Sequence, residues 1–238
     1  KFIHCKVCKS TNPNDKRLRV SALIQDEGKN IVIDTGPDFR QQILRTGIKD
    51  LEAILYTHEH KDHTAGLDDV RPFNYLRGKE FLSLFARPQV IDQLKREFQY
   101  AFEEKAYPGV PRLKTLAISN EDFEVEGIRI TPIEVMHYKL PVFGFRIKNF
   151  TYITDANAIS DMELKKAKGS KVLVLNALQQ KPHISHFTLE ESIEVAKKIN
   201  AETTYFTHIS HNMGLHSEVS KQLPDKMYLA YDGLEIHL

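Results

Sequence analysis

The sequence predicts a layered α/β sandwich rather than one doubly wound sheet, and three observations carry that prediction. Short runs rich in Val, Ile, Tyr and Phe recur along the chain. In the first half they follow one another through turns, whereas in the last third they alternate with segments of helical spacing. No repeat, low-complexity tract or Gly/Ser linker interrupts the 238 residues, so a single domain over 1–238 is expected.

The elements follow in order. RLRVSALIQ and NIVID, joined by DEGK, spell a hairpin, and PDFRQQILRTG reads as a helix opened by Pro37 and closed by Gly47. AILYT is a short buried strand. From Ala65 to about Ala106 the spacing is mainly helical, with FLSLFA as a strand within it. FEVEGIRITPIEV and FGFRIKNFTYITD supply hairpin strands, the latter turning at Lys148-Asn149. Then come the ISDMELKKAK helix, KVLVLNA strand, TLEESIEVAKKIN helix, TTYFTH strand, SEVSKQLP helix and YLAYDG strand.

Composition narrows the class. Hydrophobic residues make up 41% and charged residues 27%, which suits a globular chain and excludes disorder. The longest apolar runs fall far short of the roughly 20 residues that cross a bilayer, and the start shows no signal-peptide pattern. A cytoplasmic protein without membrane partners is therefore expected. The formal charge of +1 creates no global field to recruit nucleic acid. Two cysteines, Cys5 and Cys8, form a C-x-x-C, which in such a setting is a metal clip or a redox pair more often than a structural disulfide.

The eleven histidines are clustered. Thr57 to Gly66 reads THEHKDHTAG, with ligand-type residues at His58, His60, Asp62 and His63. If the chain leaves AILYT still extended, His58 and His60 point to one side and can grip one ion. A turn into a helix beginning near Thr64 then carries Asp62 and His63 in another direction. So dense a set of imidazoles and carboxylates would be costly without a cation. Glu59 and Lys61 alternate outward as solvated spacers. Further ligand types end other apolar runs: Asp34 after IVI, His137 after ITPIEVM, Asp155 after TYIT and His208 after TYFT. Loops at one sheet edge are where such side chains converge. Any one of these histidines alone reads as an ordinary surface or core residue.

The HxHxDH motif, followed by His, Asp and His in that order, resembles the metallo-β-lactamase superfamily across nearly the whole chain. The resemblance implies a four-layer αββα metallo-β-lactamase-type sandwich with a two-metal site. His58, His60 and His137 would hold one ion, Asp62, His63 and His208 the second, and Asp155 would bridge them. Asp34 would stand behind the ligands and orient them. Mixed nitrogen and oxygen donors suit Zn²⁺ or Mn²⁺.

Three stretches narrow the resemblance: HCKVCKSTNPNDKRLRVSALI, ALQQKPHISHFTLEESIE and THISHNMGLHSEVSKQLPDKMYLAYDGLEI look like the PhnP-type phosphodiesterases, relatives of the tRNA-processing endonuclease RNase Z. The function implied is hydrolysis of a small, cyclic-ribose-type phosphodiester by a dinuclear-metal-bound hydroxide, with Asp62 orienting the nucleophile. His186, matching the family's active-site histidine outside the metal shell, would contact substrate phosphate or act as general acid, and His183 would contact substrate beside it. Helix capping near Thr188 is the alternative for His186. Cys5, Cys8 and His211 would form a structural zinc clip.

Two departures from that pattern stand out. Ile3 occupies the place of a further cysteine, which leaves the clip one ligand short. The family's first strand and Gly/Thr-rich loop, which precede the cysteines, have no counterpart from Lys1 onward, so the expectation is either that residues precede this sequence or that the sheet is one strand short. The resemblance further implies a homodimer. An RNase Z-like nuclease acting on RNA, a thioesterase or lactonase of the same superfamily, and a metal-holding scaffold without turnover are the competing functions. His216 reads as structural or marginal to the site, and His4 and His237 as surface.

Overall fold

The computed structural model describes residues 4–76, 78, 80–103, 107 and 109–238. Ile3 and the end of the helical stretch expected up to Ala106 lie outside the described residues. The chain divides into two compact units, one spanning Arg19–Ile128 and the other combining the residues up to Leu18 with Arg129–Leu238.

The Arg19–Ile128 unit is organised on a five-stranded sheet in the order β1 (Ala22–Asp26), β2 (Lys29–Ile33), β3 (Ala53–Leu55), β4 (Leu82–Ala86) and β5 (Leu113–Ala117). The expected hairpin is present. β1 and β2 pair antiparallel with Ala22 opposite Ile33, and Glu27-Gly28 turn at φ 50° and 78°. From β2 to β5, however, every pairing is parallel. This corrects the expectation that strands meander through the first half. Short buried strands carry no mark of direction, and β3, buried throughout, reads alike in either orientation. The sequence reading omitted β5, whose alternation is weak: Leu113 is buried, but Leu116 and Thr115 are both half-buried.

Helix Phe39–Thr46 starts two residues beyond Pro37 and ends at Gly47, whose φ of 69° lets its N–H bond the Ile43 carbonyl. Val32, Phe39, Ile54, Tyr56, Leu84 and Leu94 lie in the core of this unit. Its last strand, β6, covers Phe123–Val125.

The other unit carries the strand path β10-β7-β8-β9-β11-β12-β13. Here β7 (Ile128–His137), β8 (Leu140–Ile147) and β9 (Phe150–Ile153) form the antiparallel meander, turning at Lys148 as expected. β10 is the two-residue strand Ala158–Ile159 beside β7. Then β9, β11 (Val172–Asn176), β12 (Thr203–Thr207) and β13 (Met227–Leu229) run parallel. Helices Asp161–Ala167 and Leu189–Ile199 fall where the last third predicts them. The expected SEVSKQLP helix is shorter, a turn at His216–Val219 followed by a 3-10 turn at Ser220–Gln222.

Thr188 and Glu191 form a capping box on helix Leu189–Ile199. Thr188→Ala should therefore cost about 1 kcal/mol and lower the melting temperature by roughly 2–4 °C, read by thermal unfolding. Among the described residues, no helix is long and apolar enough to cross a membrane.

Candidate metal centre

In the Arg19–Ile128 unit, parallel pairing sets the ends of β2 and β3 side by side, with Ile33 opposite Leu55. Asp34 follows β2 in a left-handed turn, φ 63°, and its N–H bonds the Leu55 carbonyl at 3.0 Å. Its carboxylate is fully buried and accepts three hydrogen bonds: from the Thr57 N–H at 2.9 Å, the Thr57 hydroxyl at 2.8 Å and His63 Nδ1 at 2.7 Å. Burial pushes the Asp34 carboxyl up, while His63 and Thr57 pull it back. With Nδ1–H donating to the Asp34 carboxylate, the His63 ring presents its lone pair at Nε2, the orientation a metal-binding imidazole needs.

The His63 ring lies 4.2 Å from that of His58, which in turn lies 4.6 Å from His60, so three imidazoles of one loop gather together. Asp62 Oδ2 is 3.8 Å from His63 Nε2. The helix here covers Lys61–Thr64 rather than beginning near Thr64, so Asp62 and His63 are already helical. Lys61 is more than a solvated spacer, since it pairs with Glu97 at 2.7 Å.

Sequence reasoning missed the supports of this loop. Thr35 donates its N–H to the His63 carbonyl at 2.8 Å, and Gly66 donates to the Thr35 carbonyl at 2.9 Å. The Tyr56 and Thr35 hydroxyls pair at 2.6 Å in the core. The only sequence signal was the two glycines flanking these segments, Gly36 and Gly66.

In the other unit, His137 ends β7, Asp155 follows β9 and His208 follows β12, as the sequence placed them. Asp155 and His208 both take left-handed backbones, φ 55° and 53°. Asp155 is buried; its Oδ2 accepts from the Thr154 hydroxyl at 2.6 Å, and its Oδ1 faces His186 Nε2 at 2.9 Å and His208 Nε2 at 3.2 Å. His137 donates Nδ1–H to the Ser185 carbonyl at 2.8 Å, which leaves its lone pair at Nε2. The other nitrogen of His186, Nδ1, meets Ser185 Oγ at 3.0 Å and His183 Nδ1 at 3.2 Å. His183 is exposed, and burial together with His186 and His208 depresses its basicity.

The sequence reading set His186 apart from the ligands; the structure sets it directly against Asp155, with donor atoms of His137, Asp155 and His186 all within 4.8 Å. The helix cap next door belongs to Thr188. Asn176 fixes this loop, exchanging two hydrogen bonds with the backbone of Ala156 at 2.9 and 3.0 Å.

Cys5, Cys8 and His211 also come together, with ligand atoms within 4.8 Å and Cys5 Sγ 3.4 Å from His211 Nδ1. The Cys8 N–H and, after it, His211 lower the Cys5 thiol to about 7, whereas Cys5 raises Cys8. Both cysteines are free thiols. His216 is structural: its Nδ1 meets Arg17 Nη2 at 2.9 Å and its N–H donates to Asp15 at 2.7 Å. Burial and Arg17 hold its pKa down, in keeping with a neutral acceptor.

Imidazoles whose Nδ1–H is held by a carboxylate or carbonyl, set among buried carboxylates, are a donor set that fits a divalent cation. The comparisons agree with that class. The family model described as "Beta-lactamase superfamily domain" matches residues 29–209, and the chain belongs to that superfamily. Membership makes it a domain of the divalent-metal-dependent hydrolase type, with the fold expected from sequence.

More particularly, it is similar to the crystal structure of a diphosphatase from the PhnP family, with 41% identity and a TM-score of 0.90 over 97% of this chain and 87% of that one. An octanoyltransferase of Porphyromonas gingivalis is 39% identical over 98% of this chain and 47% of its own length. A ribonuclease Z of Bradyrhizobium diazoefficiens is 26% identical over 56% of this chain and 45% of its own. The chain thus spans about half the length of these curated relatives.

Proposed function

We propose that the domain is a phosphodiesterase acting on a small substrate such as a cyclic ribose phosphate. The carrying observation is the series from exposed His183 through Ser185 and His186 to buried Asp155. It offers a proton path that a leaving alkoxide needs. The likeness to a PhnP-family diphosphatase supports phosphorus rather than carbonyl chemistry.

Two ions, Zn²⁺ or Mn²⁺, are assigned to the seven ligands His58, His60, Asp62, His63, His137, Asp155 and His208; a further Zn²⁺ is assigned to Cys5, Cys8 and His211. When bound, such ions supply Lewis acidity and lower the pKa of water. The chain's own residues do the rest. Asp34 holds the Nδ1 proton of His63, and the Ser185 carbonyl holds that of His137. His186 gives the leaving group the proton at Nε2 while its Nδ1 takes another relayed from His183 and Ser185, and His183 also meets the substrate at the surface. Asp62, partly exposed, orients the attacking water. The active form is assigned as a homodimer in the cytoplasm, the former read by light scattering after gel filtration.

The test is an assay of the metal-loaded protein on bis-p-nitrophenyl phosphate, a cyclic ribose phosphate, a precursor tRNA and an acyl thioester. Thioester turnover with inert phosphodiesters would overturn the reading. Cleavage of the precursor tRNA in preference to the small diesters would favour a nuclease, the second reading that the ribonuclease Z relatives support. His186→Ala should lower kcat on phosphodiesters about 10²-fold with metal content unchanged by elemental analysis. Loss of metal instead would make His186 a ligand, the alternative raised by its place beside Asp155.

A further inference from the structure

We propose that Arg19 is the anion-recognising residue of this site, binding the non-bridging oxygens of a phosphodiester and so favouring phosphate over carbonyl esters. The inference rests on the phosphodiesterase reading and names the group that would select the substrate class. Arg19 Nη1 lies 4.0 Å from Asp62 Oδ2, with the arginine side chain 60% and the aspartate side chain 31% exposed. A single contact at that distance between exposed groups adds little to stability. It also leaves most of the five-donor guanidinium fork open to a ligand.

The residue is nevertheless held in place. Its N–H donates to Asp38 at 2.8 Å, its carbonyl accepts from the Gln42 carboxamide at 2.6 Å, and its Cβ packs over Gly36, 3.2 Å from where a Cβ at that position would stand. The backbone and stem are fixed, while the head makes one long contact, to Asp62.

Electrostatics then favours function over a surface ion pair. The loop beside Arg19 presents three imidazoles and a carboxylate suited to cations, and once cations were bound there a permanent positive charge beside them would be unfavourable. The arrangement becomes favourable once an anion joins the guanidinium to the metal site. Phosphate oxygens match the planar fork, whereas a thioester or lactone carries no charge to meet it. The other cation of this loop, Lys61, is drawn off to Glu97.

The experiment compares the metal-loaded parent with Arg19→Met, which keeps the apolar stem, and Arg19→Lys, which keeps the charge. Three quantities are read: kcat/KM on bis-p-nitrophenyl phosphate, calorimetric binding of inorganic phosphate, and metal content. Arg19→Met should lower kcat/KM about 10²-fold and weaken phosphate binding about tenfold or more, with metal content unchanged and Arg19→Lys recovering part of both. Values within twofold of the parent, or loss of metal in Arg19→Met, would overturn the role of Arg19. A parent inert on every phosphodiester would instead remove the phosphodiesterase reading, and phosphate binding would still judge Arg19 separately.

Discussion

Asp155→Asn should lower hydrolysis by at least about 10³-fold, equivalent to about 4 kcal/mol of transition-state stabilisation at 1.36 kcal/mol per tenfold, and should lower metal content as well. One oxygen of this carboxylate faces the Nε2 atoms of His186 and His208, and the other accepts from Thr154. Asparagine is nearly the same shape and tolerates the left-handed backbone that Asp155 adopts at φ 55°. The fold should therefore survive while the charge is lost. The variant also offers one acceptor oxygen in place of two, and its N–H₂ group can neither accept the Thr154 hydroxyl hydrogen nor bind a cation. Elemental analysis and kinetics on the same preparation check the result. A variant that keeps its metal and more than about a tenth of the parent rate would show that Asp155 does not serve the ions, contrary to its proposed bridging role.

The second large effect concerns stability. A methyl group at Gly66 would stand 2.1 Å from the Gly36 carbonyl oxygen and 2.8 Å from Phe39 Cβ, and one at Gly36 would stand 2.4 Å from the Asp62 carbonyl oxygen. Both clashes meet backbone, and the two segments are already joined through Thr35, His63 and Gly66. Relief requires parting the loops. Gly66→Ala should cost about 3 kcal/mol or more, lowering the melting temperature by roughly 6–12 °C, and metal content should fall with it because His58, His60 and His63 lose their common seat. Gly28→Ala is the control: a Cβ there meets nothing within 4 Å, and only the φ of 78° resists it. It should cost about 1 kcal/mol. Equal melting temperatures for the two variants would mean that the loop contact adds no constraint.

These two predictions mark where the sequence stopped being legible. Asp34, His58, His60, His137, Asp155 and His208 were readable because each follows a run whose β character is unambiguous, and chemistry-bearing residues at strand ends stand out against apolar neighbours. Strand direction was not readable. β2 to β5 run parallel, yet nothing in ALIQD, NIVID or AILYT distinguishes a parallel partner from an antiparallel one. The approach of Gly36 to Gly66 was equally hidden, because it depends on how two loops meet and not on any local period. The same holds for His186, whose sequence neighbourhood of PHISH shows a cluster but not the carboxylate it touches.

The residues up to Leu18 belong to the unit completed by Arg129–Leu238. Asp15 receives the His216 N–H, Arg17 donates to the Ala230 carbonyl, and the Leu18 N–H finds Asp232. The sequence separations are 201, 213 and 214 residues. On a ribosome adding about 5–20 residues per second, this arm emerges roughly 10–40 s before its partners exist. During that interval Cys5 and Cys8 travel as two thiols without His211. The Cys5, Cys8 and His211 cluster can thus form only after the segment carrying His211 has been made, and until then the two thiols depend on the cell's reductants to stay unpaired.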